Sequence, residues 1–135
     1  MMMTMGVNEL LKESRLGVER VDPQDVGRIL GQGAILVDTR TTEQRLAQGE
    51  LPQAIVIDRT VLEWRLDPSS TSSIPEVENY DQRIILACRQ GFSSSLAAFS
   101  LRRLGLGNAT DLVGGVENWI AHDLPVFWGP VDIRL

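Results

Sequence analysis

Three short, uninterrupted apolar runs constrain this chain more than any other feature: Ala34-Ile35-Leu36-Val37, Ala54-Ile55-Val56-Ile57 and, after Arg83, Ile84-Ile85-Leu86-Ala87. None alternates with polar residues, so each reads as a strand buried on both faces. A sheet made of such strands is covered by helices on both sides and is mostly parallel. Ala109 to Val113 supplies one more strand.

The stretches between the runs carry helical spacing. Asp22-Pro23 opens a helix through Val26, Ile29 and Leu30, with the Asp22 carboxylate as cap and the proline in the first turn, and Gly31 and Gly33 end it. Thr41 to Gln48 forms a second helix capped by Thr41 or Thr42, and Thr60 to Leu66 a third carrying Leu62 and Trp64. Pro68 to Ser73 is a Ser/Thr-rich connector and the most flexible loop. Ser94 to Leu104, with Leu96, Ala97, Leu101 and Leu104, is stopped by Gly105; Val116 to His122 makes the last helix. The expected architecture is α/β, a three-layer α/β/α domain with a mostly parallel central sheet. Residues 1–15 are expected to be a flexible or docking amino-terminal segment, and 16–135 the domain.

Composition excludes several function classes. At 135 residues the chain is one domain with enough length to bury a core. Its net charge of -5, with no run of Lys or Arg, argues against nucleic acid. No apolar run reaches the roughly 20 residues of a membrane span, and no secretory leader is evident, so a soluble, cytoplasmic protein with no membrane partner is expected. One cysteine, Cys88, and one histidine, His122, cannot form a disulfide or a Cys/His metal cluster. Lys12, the only lysine, stands in no phosphate-loop motif and in no setting for Schiff-base chemistry.

Cys88 stands out by position. It follows a buried strand and precedes a helix, at the strand end where sites form in such sheets. The segment Cys88-Arg89-Gln90-Gly91-Phe92-Ser93-Ser94-Ser95 can curl so that backbone N–H groups and the helix terminus converge on the sulfur. Gly91 permits a positive φ, and the serine hydroxyls cap the helix or donate to a bound group. A free thiol with a pKa of about 8.5 is only a few per cent thiolate at neutral pH. A helix terminus, worth up to about 2 kcal/mol, leaves it about half ionised, so further amides and Arg89 are needed for the rest. The alternative for such a thiol is plain burial in the core.

The loop, together with Val37-Asp38-Thr39-Arg40, Gly49-Glu50-Leu51-Pro52-Gln53-Ala54 and Leu112-Val113-Gly114-Gly115-Val116-Glu117-Asn118-Trp119, resembles a single-domain rhodanese, a sulfurtransferase, over about Val18 to Val126. The resemblance implies a rhodanese-like domain of the thiosulfate sulfurtransferase type. In it Cys88 accepts a sulfane sulfur from thiosulfate or another persulfide donor and passes it, as a persulfide, to cyanide or a thiol. Arg89, Gln90, Gly91, Phe92, Ser93 and Ser94 are then the substrate-binding loop, with no metal and no organic cofactor. The implied partners are a small anionic sulfur donor and a thiol or cyanide acceptor, or a protein sulfur donor or acceptor. Asp38 and Arg40 match a family pair with an expected structural role. Glu50 and Gln53 replace the histidine and second glycine of the usual Gly-His-Ile-Pro-Gly-Ala. Arg59 and Arg65 are expected in surface pairs rather than at the pocket mouth, His122 as a solvated or capping residue, and Trp119 in the core.

Two other functions compete. Cell-cycle-type dual-specificity phosphatases use a loop one residue longer, closed by an arginine; Ser94 occupies that place, and Ala87 that of the histidine before the cysteine. The second is an interaction, sulfur-relay or sensor module with no turnover of free thiosulfate; a complete Cys88 loop argues against an inert module and does not distinguish free thiosulfate from a protein persulfide as donor.

Overall fold

The computed structural model describes residues 4–135. Met1 to Met3, the start of the segment expected to be flexible or docking, lie outside the described residues. Its remainder contains helix α1, Val7–Arg15, packed on the long helix that follows Cys88.

Strand β1 is Ile35–Asp38, β2 Ala54–Ile57, β3 Ile84–Ala87, β4 Ala109–Asp111 and β5 Asp132–Arg134. All five are parallel and form one sheet in the order β4-β3-β1-β2-β5. The three apolar runs are its three central strands. Leu36 lies beside Ala54 on one neighbour and Ile85 on the other, and successive side chains feed opposite cores. Val37, Ile55, Ile57, Ile84 and Leu86 pack with Leu62, Leu66, Ala97, Ala98 and Leu101 on one face. Leu36, Ile85 and Ala87 pack with Val26, Ile29, Leu112, Val116 and Trp119 on the other. The three-layer α/β/α arrangement is thus present. Among the described residues no helix is long and apolar enough to cross a membrane.

Several elements depart from expectation. Pro23–Asp25 is a 3₁₀ turn leading into α2, Val26–Leu30, and the Asp22 side chain makes no capping bond. Helix α3, Thr42–Gln48, is entered through a capping box in which Thr41 and Gln44 satisfy each other's backbone N–H groups. A second 3₁₀ turn, Arg59–Val61, precedes α4, Leu62–Leu66; Trp64 faces solvent while Leu62 is buried. Helix α5 is Ser93–Leu104, ended by left-handed Gly105, and α6 is Gly115–Ala121. Strand β4 ends at Asp111, two residues short of the expected Val113. Strand β5 was not expected from the sequence. It is a partly exposed edge strand of Asp, Ile and Arg, whose register with Ile55–Ile57, not apolar content, makes it a strand.

Candidate active site

Cys88 follows directly on β3, all four residues of which are buried, at the carboxyl edge of the sheet. The chain then curls back on itself. Gly91 N–H donates to Cys88 Sγ at 3.1 Å, and Ser94 Oγ lies 3.1 Å from the same atom. Cys88 is 5% exposed while Phe92 is 57% exposed, so the sulfur forms the floor of the loop and the aromatic ring its rim. Arg89, Gln90 and Ser93 are exposed, and Gly91 and Ser94 buried.

The curl is enforced from behind. The first amides of α6 hold the loop's carbonyls: Val116 N–H donates to Cys88 O at 2.9 Å and Glu117 N–H to Arg89 O at 3.0 Å. In a trans peptide the C=O and N–H point in opposite directions, so these two bonds turn the N–H groups of Arg89 and Gln90 away from α6. Close approach requires glycine on both sides. A Cβ on Gly91, at φ 85°, would stand 2.7 Å from Gly114 N, and one on Gly115, at φ 64°, 2.5 Å from Cys88 O. The Gly114-Gly115 pair is therefore the backing of the cysteine loop as well as a turn.

Burial pushes the Cys88 thiol up, but the Ser94 and Ser93 hydroxyls and the Ser94 and Gly91 amides outweigh it, leaving the thiol below its ordinary value. Helix α5, twelve residues long, starts at Ser93 and aims its positive end at the same sulfur.

Beneath the loop lies a polar cluster that sequence reasoning missed. Asp111, at the end of β4 and 2% exposed, accepts hydrogen bonds from Ser94 Oγ at 2.7 Å and Ser95 Oγ at 2.9 Å, both on Oδ2. Arg20 pairs with it through Nε, 2.8 Å from Oδ1. Arg15, the last residue of α1, donates through Nε to Ser95 Oγ at 2.9 Å and through Nη2 to Gly91 O at 2.8 Å. Arg20 Nη2 reaches that carbonyl too, at 3.2 Å. Ser94 has one hydroxyl hydrogen, for which Asp111 Oδ2 at 2.7 Å and Cys88 Sγ at 3.1 Å compete. Asp111 carried a readable signal, since a carboxylate closing a buried strand demands a partner. Arg15 and Arg20 carried none, because their contacts span 71 or more residues.

Other candidates lie apart from the sulfur. Arg40 gives its guanidinium to Asp38, Gln48 Oε1 and Gly49 O. Arg59 pairs with Glu63 at 2.8 Å, and Arg65 donates to Ser72 O. His122 caps α6 through Nδ1 and Asn118 O, and Trp119 is buried with its Nε1 on Pro125 O. Glu50, in the position of the usual histidine, is buried and paired with Arg45 at 3.2 Å. Gln53, in place of the second glycine, keeps a glycine-like φ of 65°.

Residues 22–122 match the family described as Rhodanese-like domain. A sulfurtransferase of Allochromatium vinosum is 34% identical over 120 residues, covering 89% of this chain and 94% of that protein. A thiosulfate sulfurtransferase, GlpE, of Haemophilus influenzae is 30% identical over 108 residues, covering 80% and 93%. Among solved structures, a Rhodopseudomonas palustris protein described as a possible tyrosine phosphatase superposes with a TM-score of 0.81 at 24% identity, covering 93% of this chain and 97% of that one. That likeness speaks for the fold.

Proposed function

Since the chain belongs to the rhodanese-like family, matched over residues 22–122, we propose that it is a thiosulfate sulfurtransferase-type enzyme working through a persulfide on Cys88. The observation that carries this reading is a cysteine sulfur at the floor of a loop whose amide and hydroxyl groups hold its pKa below the ordinary thiol value. The names of its relatives, a sulfurtransferase and a thiosulfate sulfurtransferase, point the same way.

In the first step the Cys88 thiolate attacks the sulfane sulfur of thiosulfate. A new S–S bond forms, the old one breaks, and sulfite leaves with the electron pair. The terminal sulfur of the resulting persulfide carries the charge, which the loop amides and the start of α5 stabilise. In the second step cyanide or a thiolate attacks that terminal sulfur and returns Cys88 as thiolate. Gly91 and Ser94 hold the sulfur, Ser93 and Gln90 line the loop, Arg89 draws in the anion, and Phe92 excludes water at the rim. No metal or organic cofactor enters, and we place the reaction in the cytoplasm.

Phosphoryl transfer is disfavoured by the loop itself. Ser94 stands in the place of a closing arginine, and its hydroxyl is engaged by Asp111. Arg15 and Arg20 are committed to the Gly91 carbonyl, Ser95 and Asp111. Incubation with thiosulfate should add the mass of one sulfur to the protein, and subsequent cyanide should remove it as thiocyanate; Cys88→Ser should do neither. Turnover of a phosphatase substrate without thiocyanate formation would overturn the reading.

A further inference from the structure

The cysteine loop turns three peptide carbonyls to its back, and they are anchored from two directions. Cys88 O and Arg89 O are held by amides of α6, inside the matched family domain. Gly91 O is held instead by two guanidinium groups, from Arg15 at 2.8 Å and Arg20 at 3.2 Å, both outside residues 22–122. Because the peptide unit is planar, drawing Gly91 O toward the arginines turns the Phe92 N–H the opposite way.

We propose that Arg15 and Arg20 are positioning residues of the sulfur site, with Arg15 anchoring the Gly91 carbonyl so that the end of α1 sets the curl of the cysteine loop and the charge behind it. Arg15 is suited to this because its fork spans two acceptors at once, Gly91 O and Ser95 Oγ, a geometry that lysine cannot reproduce. The charges around the sulfur favour the anion. Arg20 pairs with the buried carboxylate of Asp111 and Arg15 feels its charge, while Arg102 of α5 feels the same carboxylate and bonds Ala109 O and Ser14 O. Arg89 on the loop and Glu117 on α6 are exposed on the outer side. Burial and Arg20 push the Arg15 guanidinium down in pKa, whereas Asp111 and Cys88 hold it up, so Arg15 and an ionised Cys88 stabilise each other.

The inference rests on Cys88 being the reactive sulfur, but its test reads the thiol without any sulfur donor, so it fails independently of the sulfur-transfer reading. The rate of Cys88 alkylation by iodoacetamide is followed against pH in the unaltered full chain, Arg15→Ala, Arg15→Lys and, as a remote control, Arg83→Ala. In Arg15→Ala the titration midpoint should move to higher pH, with the rate at pH 7 falling roughly three- to tenfold. Arg15→Lys should recover part of the midpoint because it keeps the charge, and Arg83→Ala should match the unaltered protein. An unchanged midpoint in Arg15→Ala, or an equal shift in Arg83→Ala, overturns the proposal. Folding of Arg15→Ala is checked by its thermal transition, and Arg15→Lys decides between the outcomes should the alanine variant unfold: a midpoint above that of the unaltered protein supports the anchor, and an identical one refutes it.

Discussion

Two strands of this sheet end in a buried aspartate paired with an arginine, and the pairs do different work. At the end of β1, Asp38 meets Arg40 two residues later, at 2.7 Å, with both side chains fully enclosed. The remaining bonds of Arg40 tie the strand end to Gln48 and the Gly49 carbonyl. At the end of β4, Asp111 meets Arg20, which is 17% exposed and 91 residues away, and the remaining bonds of Asp111 go to Ser94 and Ser95 under the sulfur. The first pair closes on itself and fixes loops. The second is shared with the site, because Ser94, which Asp111 holds, also faces the Cys88 sulfur.

Removing the arginine or the carboxylate of each pair in turn separates their roles. Arg40→Ala leaves Asp38 buried without its partner and is expected to cost about 3–5 kcal/mol, read from denaturant unfolding. The Cys88 alkylation midpoint of the molecules that remain folded should stay put. A displaced midpoint would show that the β1 pair also reaches the site and that the contrast is false.

Asp111→Asn should cost less, about 1–3 kcal/mol, since the amide keeps hydrogen-bonding capacity toward Ser94 and Ser95. Its effect on the thiol has the opposite sign to that of Arg15→Ala. Removing the carboxylate deletes a negative charge, and a neutral amide oxygen competes less strongly than a carboxylate for the single Ser94 proton, leaving more of it to the sulfur. The alkylation midpoint should therefore fall. A rise would mean that Asp111 serves the site through loop shape alone.

Cys88 also links the site to stability. Its folded pKa lies below the ordinary thiol value, so between the two values the unfolded chain binds more protons than the folded one. Stability from this source rises with pH through that window and is lost as pH falls through the folded pKa. Cys88→Ser should flatten that part of the pH–stability curve, measured by urea unfolding at a series of pH values, whereas Arg40→Ala should lower the curve without flattening it.

How much of this was legible follows from the same contrast. The three central strands announce themselves because burial on both faces leaves no polar residue in them, and the Cys88 loop because a nucleophile follows one directly. Asp38 and Arg40 are neighbours in the chain, so their pairing was open to a local reading. Asp111 with Arg15 and Arg20 was not, since nothing in residues 15–20 marks a guanidinium destined for a loop more than 70 positions away. Strand β5 was hidden for a related reason: an edge strand needs only one paired side, and its partner β2 supplies the register that its own composition lacks.

The smallest effect lies in the turn that Arg40 pins. Gly49 at φ 88° packs against Val126 and Trp128, with a Cβ there only 2.9 Å from a Val126 methyl, so no other residue fits. Gln53, four residues on, adopts φ 65° with a side chain that the left-handed region disfavours by roughly 1–2 kcal/mol. The turn therefore keeps a glycine-like backbone where the glycine itself is missing. Gln53→Gly relieves the crowding but gives the unfolded chain more freedom, and the two terms partly cancel. The net expectation is a gain of no more than about 1 kcal/mol in denaturant unfolding, with an unchanged Cys88 alkylation midpoint. A loss of stability would mean that the Gln53 side chain contributes more to the turn than its backbone costs; a shifted midpoint would connect this turn to the sulfur and erase the division between the two strand ends.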